Sequence, residues 1–232
     1  MGFLINSFIE FPSSFSPDDI SSLKNWYDIN DISTITKDGS NRVSAVADKK
    51  GTDNLLQTTS GDQPLWVESG QNGKSELNCT GDRAMITSSG ATISQPVSVY
   101  AVLKLPASKA STQRIIEAES GTGKPTFLDN DSNFWKIAAP TEIVSTNADE
   151  EDTWVLARII YNGASSSLAL DEVTVISGNA GTNAYTGLDI SGEGDSRSNI
   201  TLGELLKFNA VLSTADNDDL VEYLSDKWNV NQ

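Results

Sequence analysis

The chain has 232 residues with one cysteine and no histidine, and its 32 acidic against 16 basic side chains give a formal charge of −16. A single cysteine excludes an intramolecular disulfide and a thiolate zinc site, and the lack of histidine excludes Ser-His-Asp catalysis and imidazole metal ligands. The acidic balance also disfavours nucleic acid and anionic membranes, because both need clustered basic residues. We therefore expect neutral or cationic partners, with no nucleic acid and no membrane among them.

The chain begins with an apolar stretch, MGFLINSFIEFP, that differs from a signal peptide. No basic region precedes the apolar run, Glu10 interrupts it, and no small-residue cleavage site precedes Pro12. We expect a protein made in a cytoplasm without its own export signal, with residues 1–19 as an N-terminal arm outside the folded module. The arm residues that we predict to be covered in part by a neighbouring subunit are Phe3, Ile5, Phe8 and Ile9.

Short runs of β-branched and aromatic residues alternate with clusters of Gly, Asn, Asp and Ser along most of the chain, which is typical of a β-sandwich or barrel. The clearest predicted strands cover residues 97–104, 154–161 and 200–208, and residues 167–176 predict a hairpin. No internal repeat or βαβ rhythm is visible, so solenoids and doubly wound folds are excluded.

One amphipathic helix is predicted at the end of the chain. Ser213 is a good N-cap, and Asp216 three residues later completes a variant capping box. The apolar stripe that should pack on the sheet consists of Leu220, Val221, Leu224 and Trp228.

Asp129, Asp131 and Asn133 place oxygen ligands at alternate positions, like the start of a calcium loop. Phe134 stands where an EF-hand has its glycine, and Pro140 stands where it has its glutamate. A hairpin turn is therefore the first interpretation, and an irregular Ca²⁺ site is the alternative. We expect no other cofactor.

Glu117 and Glu119 lie on one face of a predicted strand, about 7 Å apart by the strand rise. That separation falls within the range of about 6.5–9.5 Å that inverting glycosidases use. An acid–base pair also needs a cleft that drives the two pKa values apart. We interpret both residues as solvated strand residues.

Several segments resemble laminin-G-like, concanavalin A-like modules, which are common in phage and bacterial proteins. Residues 23–35, LKNWYDINDISTI, resemble the opening of such modules, and residues 48–55, DKKGTDNL, resemble a following segment. The most specific match is at the end of the chain, in LGELL at residues 202–206 and EYLSDKW at residues 222–228. This resemblance implies an all-β jelly-roll sandwich of two antiparallel sheets with a C-terminal helix, over residues 20–232.

The resemblance implies a non-catalytic phage virion protein, either a capsid decoration or a tail-associated subunit. Its partners would be other virion proteins, further copies of itself and a host-surface glycan. A carbohydrate-binding module or adhesin is the alternative, with Trp135 and Tyr185 as candidate glycan contacts because they lie outside the closing motifs. A β-glucanase is the third hypothesis, but the Glu-x-Asp-x-(x)-Glu string of that branch is missing, so we expect no enzyme.

Glu204 interrupts an apolar row formed by Leu202, Leu206 and Phe208 at a spacing of two residues. This spacing predicts that Glu204 is buried. A buried carboxylate is costly unless it finds hydrogen-bond donors or a cation. We predict Arg158, in the middle of an apolar strand, as its partner.

Deleting residues 1–11 should remove the apolar arm and leave a folded module that no longer assembles, because the arm precedes the segments that resemble the module. Circular dichroism melting would report folding, and size-exclusion chromatography would report assembly. Loss of folding in the deletion variant would contradict this prediction and make the arm part of the core.

Overall fold

The computed structural model describes seven stretches of the chain, in which strands predominate: residues 15–87, 90–105, 112–119, 124–131, 134–148, 151–192 and 197–231. The strands are β1 (Leu23–Asp28), β2 (Ile35–Lys37), β3 (Val43–Val46), β4 (Leu55–Leu56), β5 (Leu65–Val67), β6 (Glu76–Asn78), β7 (Met85–Thr87), β8 (Thr92–Ile93), β9 (Val97–Lys104), β10 (Thr112–Glu117), β11 (Thr126–Asp131), β12 (Phe134–Ala138), β13 (Glu142–Ala148), β14 (Trp154–Tyr161), β15 (Ser166–Leu170), β16 (Val173–Gly178), β17 (Tyr185–Thr186), β18 (Asp189–Ile190) and β19 (Thr201–Phe208). The α-helix is α1 (Thr214–Trp228), and short 3-10 helices cover Pro17–Asp19, Ile32–Thr34, Ser60–Asp62, Gln71–Gly73 and Gly163–Ser165.

Two antiparallel sheets form a sandwich. Sheet A has the strand order β16-β15-β14-β9-β19-β6-β5, and β1 pairs with β19 on the same side as β6. Sheet B has the order β13-β12-β11-β10-β18-β7-β4-β3-β2, and β8 pairs with β17 in a separate ribbon. The predicted all-β fold with two antiparallel sheets and a C-terminal helix is confirmed. No helix in the described residues is long and apolar enough to span a membrane.

The long strands lie where their sequence pattern places them. The predicted strands at residues 97–104 and 154–161 are β9 and β14, and the strand predicted at 200–208 is β19. The predicted hairpin consists of β15 and β16. Asp171 and Glu172 connect them with positive φ angles of 46° and 62°, the backbone that a two-residue hairpin turn prefers.

Two apolar clusters lie on the two faces of sheet A. The larger one fills the space between the sheets and includes Tyr27, Leu202 and Trp135. The smaller one lies between the outer face of sheet A and α1, where Trp154 stacks on Trp228 with ring centroids 6.1 Å apart. The helix therefore packs against the sheet, as its apolar stripe predicts.

The ends of α1 are capped as the sequence indicates. The Ser213 hydroxyl accepts a hydrogen bond from the Asp216 amide at 3.1 Å. At the other end Asn229 adopts a left-handed conformation with φ 51°, which is common after the last helical residue.

Glu204 is the buried charged group on which α1 docks. It is 0% exposed, and its carboxylate accepts hydrogen bonds from the indole N–H groups of Trp26 at 2.7 Å and Trp228 at 2.8 Å. The Tyr223 hydroxyl donates to it at 3.1 Å, and Lys227 Nζ lies 2.7 Å from Oε2. One carboxylate thereby joins β1, β19 and α1, and each of its oxygens has donors.

Lys227 connects Glu204 to a second carboxylate. Its Nζ lies 2.9 Å from Oδ1 of Asp28, which is also buried. Burial alone would lower the pKa of Lys227, but the carboxylates of Glu204 and Asp28 raise it above its ordinary value. Lys227 is therefore charged at neutral pH, and the cluster contains a cation between two acids.

Arg158, the predicted partner of Glu204, binds elsewhere. Its Nε lies 3.3 Å from Oε1 of Glu172, and its Nη1 donates to Oδ1 of Asn217 at 3.3 Å. Since β9 lies between β14 and β19, the backbones that carry Arg158 and Glu204 are roughly 9–10 Å apart. The prediction that Glu204 is buried agrees with the structure, and the prediction of its partner was wrong.

A β-bulge between Leu202 and Glu204 determines which face Glu204 takes. Leu202 belongs to the core between the sheets, whereas Leu206 belongs to the cluster under α1. The apolar residues predicted to share one face of this strand therefore lie on opposite faces of sheet A before and after Gly203. A Cβ at position 203 would lie 2.8 Å from the Trp228 ring, so glycine allows the helix to approach the sheet.

Cys79 lies in the core between the sheets and is 0% exposed. Burial raises the pKa of its thiol to about 12, so almost no reactive thiolate exists at neutral pH.

Lys207 is a buried lysine at one end of sheet A, where it pairs across the strands with Asn25 and Val99. It is 1% exposed, and burial lowers its pKa to about 8, although the carboxylates of Asp53 and Asp48 oppose this shift. The unfolded chain therefore holds a proton at this position up to a higher pH than the folded chain does.

Replacing Glu204 with Ala should lower the free energy of unfolding by about 3–5 kcal/mol, because Lys227 and two indole N–H groups lose their buried acceptor. The exposed Glu222 of α1 provides a matched control, and Glu222→Ala should cost well under about 1 kcal/mol. Urea denaturation of both variants measures the difference. Equal losses in the two variants would contradict a docking role for Glu204.

The lowered pKa of Lys207 predicts a stability that rises with pH. Between about pH 8 and the ordinary lysine value of 10.5, the folded state binds fewer protons than the unfolded state, so deprotonation favours folding. From pH 7.5 to 9.5, the stability of the wild type relative to Lys207→Met should rise by about 2 kcal/mol. Urea denaturation at the two pH values measures this difference, and a constant difference would contradict the assignment.

Candidate functional site

Sheet B carries on its outer face a row of four side chains that are direct cross-strand partners. Leu56 pairs with Ile86, Ile86 with Asp189, and Asp189 with Glu117. Direct partners point to the same side of a sheet, and the alternate residues of these strands, such as Leu55 and its counterparts, face the core. The row therefore changes from apolar to acidic along its length.

A cleft of about 350 Å³ lies over the apolar half of this row, and we call it the sheet cleft. Its apolar surface comes from Leu56, Ala84 and Ile86. Its polar groups come from Gln57, Thr58, Thr87, Glu119 and Arg197. Apolar surface with a few placed polar groups is the usual composition of a small-molecule site.

Arg197 is fixed in the wall of the sheet cleft by two contacts. Its Nη2 lies 3.2 Å from Oδ2 of Asp62, and its Nη1 donates to the backbone carbonyl of Asp82. Its Nε has no hydrogen-bond partner among the described residues. The guanidinium is therefore neutralised and held in place, and one donor is unused.

Glu119 forms the acidic part of the same wall. The Thr87 hydroxyl donates to its Oε2 at 3.3 Å, and the Glu119 amide donates to the carbonyl of Thr186 at 2.9 Å. Gly187, with φ +68°, allows this close approach, because a Cβ there would lie 2.4 Å from Glu119 Oε2.

The expectation that Glu117 is a solvated strand residue was wrong. Glu117 is 0% exposed, with Lys124 Nζ 2.9 Å from Oε1 and Arg114 Nη1 3.2 Å from Oε2. Its direct neighbour Asp189 is also 0% exposed. Glu119 is only half-buried and lines the sheet cleft. The two glutamates therefore have different surroundings, and one of them is already neutralised by two cations.

A second cleft, of about 500 Å³, lies beside the ribbon of β8 and β17, and we call it the rim cleft. It is bounded by Lys24 and Asn25 of β1, by Asp53, by residues 91–96 and by Asn209. One stretch of chain contributes to both clefts, since Thr87 lines the sheet cleft and residues 91–96 line the rim cleft.

Of the two candidate glycan contacts, the structure describes the side chain of Trp135. Trp135 is 1% exposed and belongs to the core between the sheets, so the prediction that it contacts glycan was wrong. Its neighbour Phe134 points outward and is 37% exposed, as strand alternation requires. Tyr185 lies in β17, and its side chain is outside the described part of the structure.

Other predicted site residues also lie outside the described part. Phe3, Ile5, Phe8 and Ile9 belong to residues 1–14, and Asn133 belongs to the undescribed pair 132–133. The backbones of Asp129 and Asp131 lie in β11, but their side chains are not described. Within the described residues, no group of three or more Asp, Glu, His or Cys side chains could hold a metal ion.

No protein-family model and no curated protein sequence matches the chain. Solved structures do match it. Domain 4 of AbnA, an extracellular GH43 arabinanase from Geobacillus stearothermophilus in complex with arabinotriose, has a TM-score of 0.63 at 13% sequence identity. That match covers 86% of this chain and 98% of the arabinanase domain.

Two further structures show the same kind of similarity. The binding domain of Paraclostridial Mosquitocidal Protein 1 has a TM-score of 0.60 at 13% identity, and the match covers 91% of this chain and 53% of that one. Trypanosoma rangeli sialidase in complex with the inhibitor DANA has a TM-score of 0.58 at 13% identity, with 86% of this chain and 32% of the sialidase covered. The chain thus spans about a third of the sialidase. At such identities the similarity shows a shared β-sandwich fold.

Proposed function

We propose that the chain is a non-catalytic carbohydrate-binding β-sandwich that binds a neutral saccharide in the sheet cleft. The observation that carries the proposal is the lining of this cleft. Leu56 and Ile86 offer an aliphatic surface for the C–H groups of a sugar ring, and Arg197 and Glu119 offer a donor and an acceptor for its hydroxyl groups.

The charge of the site favours a neutral ligand. Arg197 is already neutralised by Asp62, and the remaining charged group in the lining is the carboxylate of Glu119. The chain as a whole carries a formal charge of −16, which repels anionic sugars at a distance.

The carboxylates near the cleft suit binding better than hydrolysis. A glycosidase needs two carboxyl groups that face the substrate with different pKa values. Glu117 is enclosed by Arg114 and Lys124, and among the described residues only Glu119 contributes a carboxylate to the cleft lining. We therefore assign no catalytic role to either glutamate.

Similar folds that bind saccharides support this proposal. The arabinanase domain has a similar fold over nearly its whole length and was solved with arabinotriose. At 13% identity the shared feature is the scaffold, and the lining of the sheet cleft determines which ligand the present chain binds.

The phage setting that the sequence resemblance implies stays a prediction. In that setting the module would contact other virion proteins and further copies of itself, with the glycan on a host surface. The arm residues predicted to make such assembly contacts, Phe3, Ile5, Phe8 and Ile9, are outside the described residues. A glycan-binding role for the sheet cleft is compatible with a capsid or tail location and with an adhesin.

A glycan array followed by isothermal titration calorimetry should identify a neutral oligosaccharide that binds the chain. Thr58 is exposed and lines the sheet cleft, so Thr58→Trp should fill the cleft and weaken binding by about tenfold or more without unfolding the protein. Thr52→Trp, at an exposed position outside the lining, is the control and should bind like the wild type. Absence of any glycan ligand, or unchanged binding by Thr58→Trp, would contradict the proposal.

A further inference from the structure

The rim cleft contains a buried acceptor that the fold leaves unused. Asn25 lines this cleft and is 2% exposed, yet its Oδ1 has no hydrogen-bond partner in the described structure. A buried polar atom without a partner is costly in a folded protein, so a ligand that donates a hydrogen bond there would recover that cost.

The orientation of the Asn25 amide is fixed by its neighbour. Nδ2 of Asn25 donates to Oδ2 of Asp48 at 2.7 Å. Asp48 is held in turn by the amide of Trp26 at 2.9 Å and the amide of Lys50 at 3.0 Å. Because Asp48 can only accept, the NH₂ group of Asn25 has to face it, and the unused atom is the carbonyl oxygen.

The other wall of the rim cleft is apolar and is held rigidly. Ala91, Ile93 and Pro96 contribute this surface. Gln95 anchors the segment, since its Nε2 donates to the carbonyl of Gly181 at 3.0 Å and its Oε1 accepts from the amide of Gly163 at 2.7 Å. Because the conformation of this wall is already fixed, it loses little conformational entropy when a ligand binds.

We infer that the rim cleft is a second saccharide site, which takes an acetamido sugar. An acetamido group places an N–H donor beside a methyl group, which matches the unused Oδ1 of Asn25 and the apolar wall formed by Ala91, Ile93 and Pro96. A plain hydroxyl at the same carbon supplies a donor but no methyl group. This inference extends the proposed carbohydrate-binding function to a second cleft with its own selectivity.

The charged groups around the rim cleft favour a neutral ligand. Lys24 and Asp53 both line it. Lys207 lies close enough to Asp53 and Asp48 for these carboxylates to offset part of the lowering of its pKa by burial. Cations and anions are thus mixed at this end of the sandwich. A ligand that is recognised by a hydrogen bond and a methyl contact needs no charge of its own.

The test compares two probes that differ in one group: methyl 2-acetamido-2-deoxy-β-glucopyranoside and methyl β-glucopyranoside. Each is titrated into ¹⁵N-labelled full-length protein, and amide resonances are followed by NMR. The acetamido probe should shift the resonances of residues 91–95 and of the Asn25 side chain. It should bind about fourfold more tightly than the glucoside, because both probes offer a donor at this carbon and only the acetamido probe also buries a methyl group.

Two blocking variants separate the clefts. Ala91 is exposed and lines the rim cleft, so Ala91→Trp should abolish binding of the acetamido probe, whereas Thr58→Trp should leave it unchanged. Asn25→Leu, checked for folding by thermal melting, should reduce binding in the same way as Ala91→Trp.

The outcomes distinguish this inference from the proposed function. Equal affinity for the two probes, or binding that survives Ala91→Trp, overturns the acetamido site. Binding that only Thr58→Trp removes leaves the proposed function intact and refutes the second site. Binding that only Ala91→Trp removes supports the second site, and the sheet cleft is then tested separately by the glycan array and Thr58→Trp. No binding of either probe refutes the rim site, and the glycan array then decides the sheet cleft separately.

Discussion

The carboxylate of Glu204 is the constraint that holds the helix-bearing side of the sandwich together. Glu204 is 0% exposed and lies on the face of β19 that α1 covers. Loss of one of its hydrogen-bond or ion-pair partners would leave an unpaired charge in an apolar layer. Its donors come from two parts of the chain that are far apart in sequence: Trp26 near the start, and Tyr223, Lys227 and Trp228 at the end.

The same cluster brings together segments from the two ends of the chain that carry the sequence resemblance. The residues of the opening and closing segments meet in space, since β1 pairs with β19 and α1 covers both. Asp28 extends the network to Lys49, whose Nζ lies 2.7 Å from Asp31 and 4.3 Å above the Trp26 ring. The hydrogen bond from Lys49 lowers the pKa of Asp31 to about 2, so the Asp31 carboxylate stays ionised well below neutral pH.

Much of the fold is predictable from local pattern, and the clefts are not. β9, β14, β19 and α1 are long, with clear periodicity or capping, so the sequence locates them to within about a residue. Leu56 and Ile86 belong to strands of two and three residues, which carry too little pattern to assign a face. Their role depends on register between strands that are distant in sequence, and that is a property of the assembled sheet.

The errors in the predicted site residues have related causes. Trp135 and Phe134 are adjacent on β12, and alternation alone could not decide which one faces the core. The bulge at Gly203 moved Glu204 from the face of Leu202 to the face of the helix. Asn25 lies within a segment that resembles the family opening, but its unused oxygen is apparent only when Asp48 is seen to occupy its amide nitrogen.

The burial of Cys79 makes this single thiol an internal reporter of the sandwich. With its pKa raised to about 12 and no exposed surface, it reacts with an alkylating reagent only when the two sheets separate. The rate of alkylation under native conditions therefore follows the opening of the layer between sheet A and sheet B. Cysteines introduced on the surface can be labelled selectively, because the core that surrounds Cys79 protects the native thiol.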